Sequence, residues 1–273
     1  LSGKGDTCVC RSIQGRMNPD TSPFQYVTHL LNRQRIVRPP EAPPFFGGAV
    51  GYLSYDLVRQ FERLPSLALD DLACPELEFA FFDLVGAIDH ELNQLVLMFC
   101  PPLDRFLGEP REKLFREGRD RLAEFEARLT RPDMVDAHGS HLGRLTFTPE
   151  QEQAIYSRNV RRCQEYISAG DIYQANLSHR FNVTGSAFSS LGDLQTDLSA
   201  YSRLRTLNPS PFSGILRFDA IRLISSSPER LVRLEGHRAD TRPIAGTRPR
   251  GTNTDDDQRL IHELRVNEKE CAE

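Results

Sequence analysis

No apolar run in this chain approaches the roughly 18 residues that a membrane span requires, and no stretch resembles a secretory leader. Paired Cys-x-x-Cys spacing is missing too. The six cysteines stand scattered at positions 8, 10, 74, 100, 163 and 271, with Cys8 and Cys10 the one close pair. A zinc site is therefore not spelled out, and a reducing cytoplasm is the expected compartment. Excess charge of one sign is lacking as well. A net charge of -4, with 26% charged and 39% hydrophobic residues, excludes general disorder and the electrostatic footprint of a nucleic-acid binder. The nucleotide loops GxGxxG and GxxxxGK[ST], the nucleophile elbow GxSxG and the HExxH zinc motif are all absent. What remains is a chain of 273 residues, long enough to bury a core as one large α/β domain or two modest ones.

Periodicity divides that length into elements. Phe24, Val27, Leu30 and Leu31 share one face of a helix expected over 23–34, and the proline-rich segment 38–44 then reads as an extended connector. The glycine-punctuated run 45–56 is open between a buried strand and a closely packed helix. Residues 76–89 and 94–99 read as two strands of a hairpin, and 110–130 as a charged helix. Residues 131–145 read as a linker, with His138 and His141 a weak metal pair inside it. Thr148 is the expected cap of a helix ending at Ala169-Gly170. Alternation over 171–183 predicts a strand, a helix follows over 191–207, and strands over 212–218 and 220–224 lead into the stretch richest in chemistry.

That stretch runs from Ser225-Ser226-Ser227-Pro228-Glu229-Arg230 to Thr241-Arg242-Pro243-Ile244-Ala245-Gly246-Thr247-Arg248-Pro249-Arg250-Gly251. Arginine suits carboxylates because its planar guanidinium donates in a fixed fork, and glycine lets a backbone N–H approach a ligand closely. Beyond it, Asn253 is placed to cap a helix expected to continue to the terminus. On a continuous helix Glu263, Glu270 and Glu273 would share one face, an arrangement that is by itself a solvated acidic face or a metal site.

Together these segments resemble the chorismate-utilising enzymes, above all component I of aminodeoxychorismate synthase and component I of anthranilate synthase. The segments that carry the likeness are Phe46-Gly47-Gly48-Ala49-Val50-Gly51-Tyr52, Gly170-Asp171-Ile172-Tyr173-Gln174-Ala175-Asn176-Leu177-Ser178, Asn208-Pro209-Ser210-Pro211-Phe212, Ser227-Pro228-Glu229, Pro243-Ile244-Ala245-Gly246-Thr247 and Glu268-Lys269-Glu270-Cys271-Ala272-Glu273. The resemblance implies an α/β (α+β) fold, a sandwich of antiparallel sheets wrapped by helices. It is expected as an N-terminal part, 1–142, and the first part of a chorismate-binding catalytic region, 143–273. It further implies Mg²⁺ held by Glu270 and Glu273 against a substrate carboxylate, and Glu229 as the general acid for the departing 4-hydroxyl. Ala245, Gly246 and Thr247 would lie around a substrate carboxylate, with Arg248 a helper. The implied partners are chorismate and a glutamine amidotransferase subunit that donates ammonia, with tryptophan a candidate ligand of the N-terminal region.

Within the family, the GDIYQAN segment, Pro228-Glu229-Arg230 and Thr247-Arg248-Pro249-Arg250-Gly251 resemble the aminodeoxychorismate branch, which serves 4-aminobenzoate and folate synthesis. Ala245 resembles the anthranilate branch instead, since it stands where many aminodeoxychorismate synthases carry a nucleophilic lysine. The expected product is 4-amino-4-deoxychorismate; the alternatives are anthranilate, or a non-catalytic relative that binds an aromatic ligand. Against the family pattern the chain reads as a fragment truncated at both ends, expected to be inactive alone.

Overall fold

A computed structural model describes the chain except residues 13–14, 35, 131–143, 186–193, 220, 245 and 273. The expected linker histidines, Ala245 and Glu273 thus lie outside the described residues. By their contacts the residues form two units, Leu1–Met134 with Leu216–Arg222, and Val135–Ile215 with Leu223–Glu273.

In the first unit β1 (Ser2–Lys4), β2 (Thr7–Ser12), β3 (Gly15–Met17), β4 (Gly48–Leu53) and β5 (Leu77–Phe82) form an antiparallel sheet in the order β3-β2-β1-β5-β4. Helix α1 (Pro23–Arg33) lies on β1 and β2. Its start follows from the sequence: Ser22 Oγ accepts from the Gln25 N–H at 3.3 Å, and Pro23 fills the first turn, where no N–H is needed. The glycine-punctuated run proves to be β4 followed by a 3₁₀ helix, Tyr55–Gln60. Its packing is as tight as the glycines imply, since a Cβ on Gly51 would sit 2.0 Å from the Glu78 carbonyl oxygen.

The strand expected over 76–89 is broken at Asp83. Its second half, β6 (Leu84–Asp89), pairs in a separate hairpin with β7 (Gln94–Phe99). Asp89 closes the turn by accepting from the N–H groups of Glu91 and Leu92, each at 2.9 Å. A short helix α2 (Leu103–Gly108), unforeseen in the sequence, precedes α3 (Arg111–Leu129). Helix α3 packs on β7 through Gly118, where a Cβ would fall 2.6 Å from the Phe99 ring. Arg121 on α3 donates to both oxygens of Asp83, at 2.5 and 2.8 Å, so the residue that breaks the strand anchors the helix. Cys8, Val27, Leu57, Leu77 and Leu114 are buried around these contacts.

The second unit departs further from expectation. Thr148 does not cap a helix. It lies in β8 (Thr146–Pro149), paired with β9 (Phe181–Thr184), because a residue before proline is held extended. The helix α4 (Gln153–Ala169) starts after Glu152 and ends, as expected, on Gly170 in the left-handed region at φ 82°. The alternating segment expected as a strand forms only β9 at its end. No described strand runs alongside 171–177, and Tyr173 is 98% exposed. Alternation supplies a face, but a strand also needs a neighbour.

Helix α5 (Leu194–Leu207) precedes β10 (Phe212–Arg217), which pairs with β11 (Arg222–Ser227). The hairpin of β12 (Arg230–Glu235) and β13 (Arg238–Arg242) turns at Gly236, where φ is 61°. Asn253 caps α6 (Thr254–Val266) as expected, accepting from the Asp256 N–H at 2.9 Å. The helix does not continue to the terminus. Asn267 adopts φ −70°, ψ 119°, and its side chain accepts from the Glu270 N–H at 3.1 Å, opening a separate helix α7 (Glu268–Ala272). An asparagine that can cap competes with helix continuation.

Candidate active site

The loop between β13 and α6 is fastened to the helices that follow it. Asp257 accepts from the Gly251 N–H at 2.9 Å and from Arg250 Nη1 at 2.8 Å, and Asp256 accepts from the Thr252 N–H at 3.0 Å. The Thr252 N–H and the Arg259 guanidinium hold the Asp256 carboxyl below its usual range. A helix N-terminus favours such acids, which the run Asp255-Asp256-Asp257 supplies.

Gly246 then brings the loop against α7. Its φ is +73°, and a Cβ there would lie 2.3 Å from Glu270 Oε2 and 2.8 Å from Leu264 Cδ1. Only glycine satisfies both the backbone and the space. Next to it, Arg248 donates from Nε to Glu263 Oε1 at 3.0 Å and from Nη1 to Glu270 Oε1 at 3.2 Å, and Nη1 also reaches the Thr247 carbonyl oxygen at 2.9 Å. Both carboxylates push the Arg248 pKa further up. The Glu270 side chain is 17% exposed and that of Glu263 49%.

Of the residues picked out in the sequence, the structure brings Gly246, Thr247, Arg248 and Glu270 together. The common helical face expected for Glu263 and Glu270 is lost at Asn267, yet their carboxylates still meet at Arg248. The resemblance made Arg248 a helper at a substrate carboxylate; in the structure it bridges two protein carboxylates. No written motif pointed to that bridge or to the clasp by Asp256 and Asp257. The only hint was a run of arginines upstream of a run of acids.

Glu229 is not bonded to this cluster. It is exposed on the connection between β11 and β12, and no hydrogen bond or ion pair among the described residues joins its carboxylate to Gly246 or Glu270. The strand before it is nonetheless tied to a second segment. Ser226 Oγ bonds Ser210 Oγ at 3.1 Å and donates to the Asn208 carbonyl oxygen, joining the Asn-Pro-Ser-Pro run to the Ser-Pro-Glu run.

Among the described residues no group of three or more His, Cys, Asp or Glu side chains is placed to hold a metal. The hard oxygen donors of Glu263 and Glu270 are already gathered around one cation, the Arg248 guanidinium. The carboxylate oxygens of Glu270 suit Mg²⁺, which typically takes one or two protein carboxylates and completes its shell with water and substrate oxygens.

Residues 3–273 match the family described as chorismate binding enzyme. Anthranilate synthase component 1 of Thermus thermophilus is 42% identical over 241 residues, covering 87% of this chain and 47% of the relative. Aminodeoxychorismate synthase component 1 of Bacillus subtilis is 35% identical over 237 residues, covering 85% and 46%. The crystal structure of anthranilate synthase component I from Streptococcus pneumoniae superposes with a TM-score of 0.71 at 23% identity, over 100% of this chain and 57% of that one. The last likeness shows the fold, a mixture of helices and antiparallel sheets. The chain spans about half the length of the curated relatives it matches.

Proposed function

Because this chain belongs to the chorismate-binding enzyme family, we propose that the protein carrying it aminates chorismate, as the component I subunit of an anthranilate synthase. The carrying observation is the 42% identity to the Thermus thermophilus enzyme of that name. Ala245 supports the same branch, because it leaves no lysine amine at that position to attack the ring. In this reading ammonia adds at C2, the 4-hydroxyl leaves as water, and loss of pyruvate yields anthranilate.

Glu229 protonates the departing hydroxyl, a role typically worth about 10² to 10⁴ in rate. The Gly246 N–H and the Thr247 hydroxyl bind a substrate carboxylate. Glu270 and Glu273 would hold Mg²⁺, which would supply positive charge opposite the substrate carboxylate. Ammonia comes from a glutamine amidotransferase subunit. Tryptophan, the end product of the anthranilate route, is the proposed ligand of the N-terminal region, and the cytoplasm the proposed compartment.

The second reading, amination at C4 with the enolpyruvyl ether kept, was favoured by the sequence motifs. It is supported by the Bacillus subtilis relative named aminodeoxychorismate synthase. One assay separates the two. The protein carrying these residues is given chorismate, Mg²⁺ and ammonium, with and without aminodeoxychorismate lyase. Fluorescent anthranilate without the lyase is the expected result. 4-Aminobenzoate formed only with the lyase would transfer the protein to the second branch, and unconsumed chorismate would refute both. Glu229→Gln is expected to lower turnover by about 10² or more with circular dichroism unchanged; full activity would remove Glu229 from the mechanism.

A further inference from the structure

We propose that Arg248 is a resident counter-ion which a divalent cation must displace from Glu270, so that the metal site exists in an arginine-filled and a metal-filled state. The inference rests on the reading of Glu270 as a Mg²⁺ ligand. It begins from an oxygen that two cations would share: Glu270 Oε1 accepts from Arg248 Nη1 at 3.2 Å. The other oxygen, Oε2, faces the Cα of Gly246, where a Cβ would fall within 2.3 Å. The carboxylate is therefore turned into the loop, and at 17% exposure it would stand largely desolvated without a counter-charge. Leaving such a charge unpaired is costly, and the guanidinium prevents it in the absence of metal.

A divalent ion bound to the same carboxylate is disfavoured while the guanidinium stays in place, since a unit and a double positive charge about 4 Å apart repel even in a watery dielectric. Arg248 has somewhere to go, because its contacts are distributed. Nε is held by Glu263, and Nη1 is held by the Thr247 carbonyl oxygen as well as by Glu270. Losing the Glu270 bond leaves the other two, and the half-exposed Glu263 can follow the side chain outward. Metal entry thus exchanges one cation for another on Glu270 without unfastening the loop. Arg248 lowers metal affinity and, without metal, keeps residues 246–248 docked on α7. It acts through Glu270 as a positioning residue.

The test is a Mn²⁺ titration followed by electron paramagnetic resonance on the whole chain, with thermal unfolding of the metal-free protein alongside. Arg248→Met should bind Mn²⁺ about tenfold more tightly than the parent, from the removed repulsion, while the metal-free protein melts at a lower temperature. A purely structural arginine would move both quantities in the unfavourable direction. Mn²⁺ binding by Arg248→Met no tighter than the parent, or no measurable binding by any variant, overturns the proposal. Should Arg248→Met fail to fold, Glu263→Gln carries the test. With Glu263 neutral, Arg248 is left to Glu270, so Mn²⁺ binding should weaken; unchanged or tighter binding overturns the exchange. Glu270→Gln made in the Arg248→Met background separates the two levels of inference. Loss of affinity there supports Glu270 as the ligand, whereas full retention refutes the metal reading itself.

Discussion

A Cβ at residue 246 would meet Glu270 Oε2 at 2.3 Å, with φ at +73°, in a region where L-residues lose about 1–2 kcal/mol. Gly246→Ala is accordingly expected to destabilise the second unit by at least that amount in urea unfolding; an unchanged midpoint would mean that the loop does not hold this conformation. Glu78 presents the opposite case, a residue whose removal should help. It is 7% exposed, its Oε2 has no hydrogen-bond partner among the described residues, and burial raises its pKa against the opposing pull of Arg11. A carboxyl with a raised folded-state pKa binds its proton more tightly in the native state. Its contribution to stability is therefore full below the unfolded value of about 4.3 and is lost as pH rises through the folded value. Glu78→Gln is expected to be more stable than the parent at pH 7, with the advantage vanishing near pH 4. The same buried charge raises the neighbouring Tyr52 pKa, which burial and Glu78 together push up to about 12. At this scale the sequence was most legible where a residue type is obligatory. The cap Asn253 could be picked out because few side chains can do what it does; Gly246 was named through the resemblance for a substrate carboxylate, its contact with Glu270 was not foreseen, and the partners of Arg248 could not be read, since any of several acids would have served.

Asp83 illustrates how elements were harder to read than residues. The run 76–89 is apolar and β-branched enough to be one strand, but a carboxylate in its middle is met by Arg121, which lies 38 residues further along the chain. Helix α3 thereby takes hold of the chain where the main sheet ends and the β6–β7 hairpin begins. Such a long-range pair leaves no local trace. Thr148 and Asn267 are different, because their local rules were present and were outweighed by a stronger periodic signal: a proline that keeps its predecessor extended, and an asparagine able to cap inside a helical pattern. For Asp83, hydrogen bonding to Arg121 lowers the pKa. A depressed carboxyl contributes stability above its unfolded pKa of about 3.9 and loses it as pH falls through the folded value. Asp83→Asn should therefore cost about 1–2 kcal/mol at pH 7, a range reduced for the partial exposure of both partners. The two proteins should converge as the solution is acidified below about pH 4. A gap that does not narrow at all on acidification below about pH 4 in chemical unfolding would assign the loss to packing instead of charge.

Several strands leave large apolar side chains open to solvent. Leu231, Val232 and Leu234 of β12 are 87%, 60% and 72% exposed, and the β6–β7 hairpin leaves Ile88, Leu92 and Leu95 similarly open. Among the described residues every buried large apolar side chain belongs to the first unit, which leaves the second, where the candidate site lies, with helices and hairpins but no comparable core. The family could be read from the motifs because they lie in single stretches of chain; the thinness of this core could not, because composition counts apolar residues without saying what covers them. Exposed apolar strands of this kind bind hydrophobic dyes and each other. The chain is expected to enhance anilinonaphthalene sulfonate fluorescence strongly and to self-associate in sedimentation velocity. The paired substitutions Val232→Lys and Leu234→Lys should reduce both effects while changing stability by no more than about 0.5 kcal/mol, as surface positions do. If instead that pair unfolds the second unit, β12 is covered in solution and the open face belongs elsewhere on the chain.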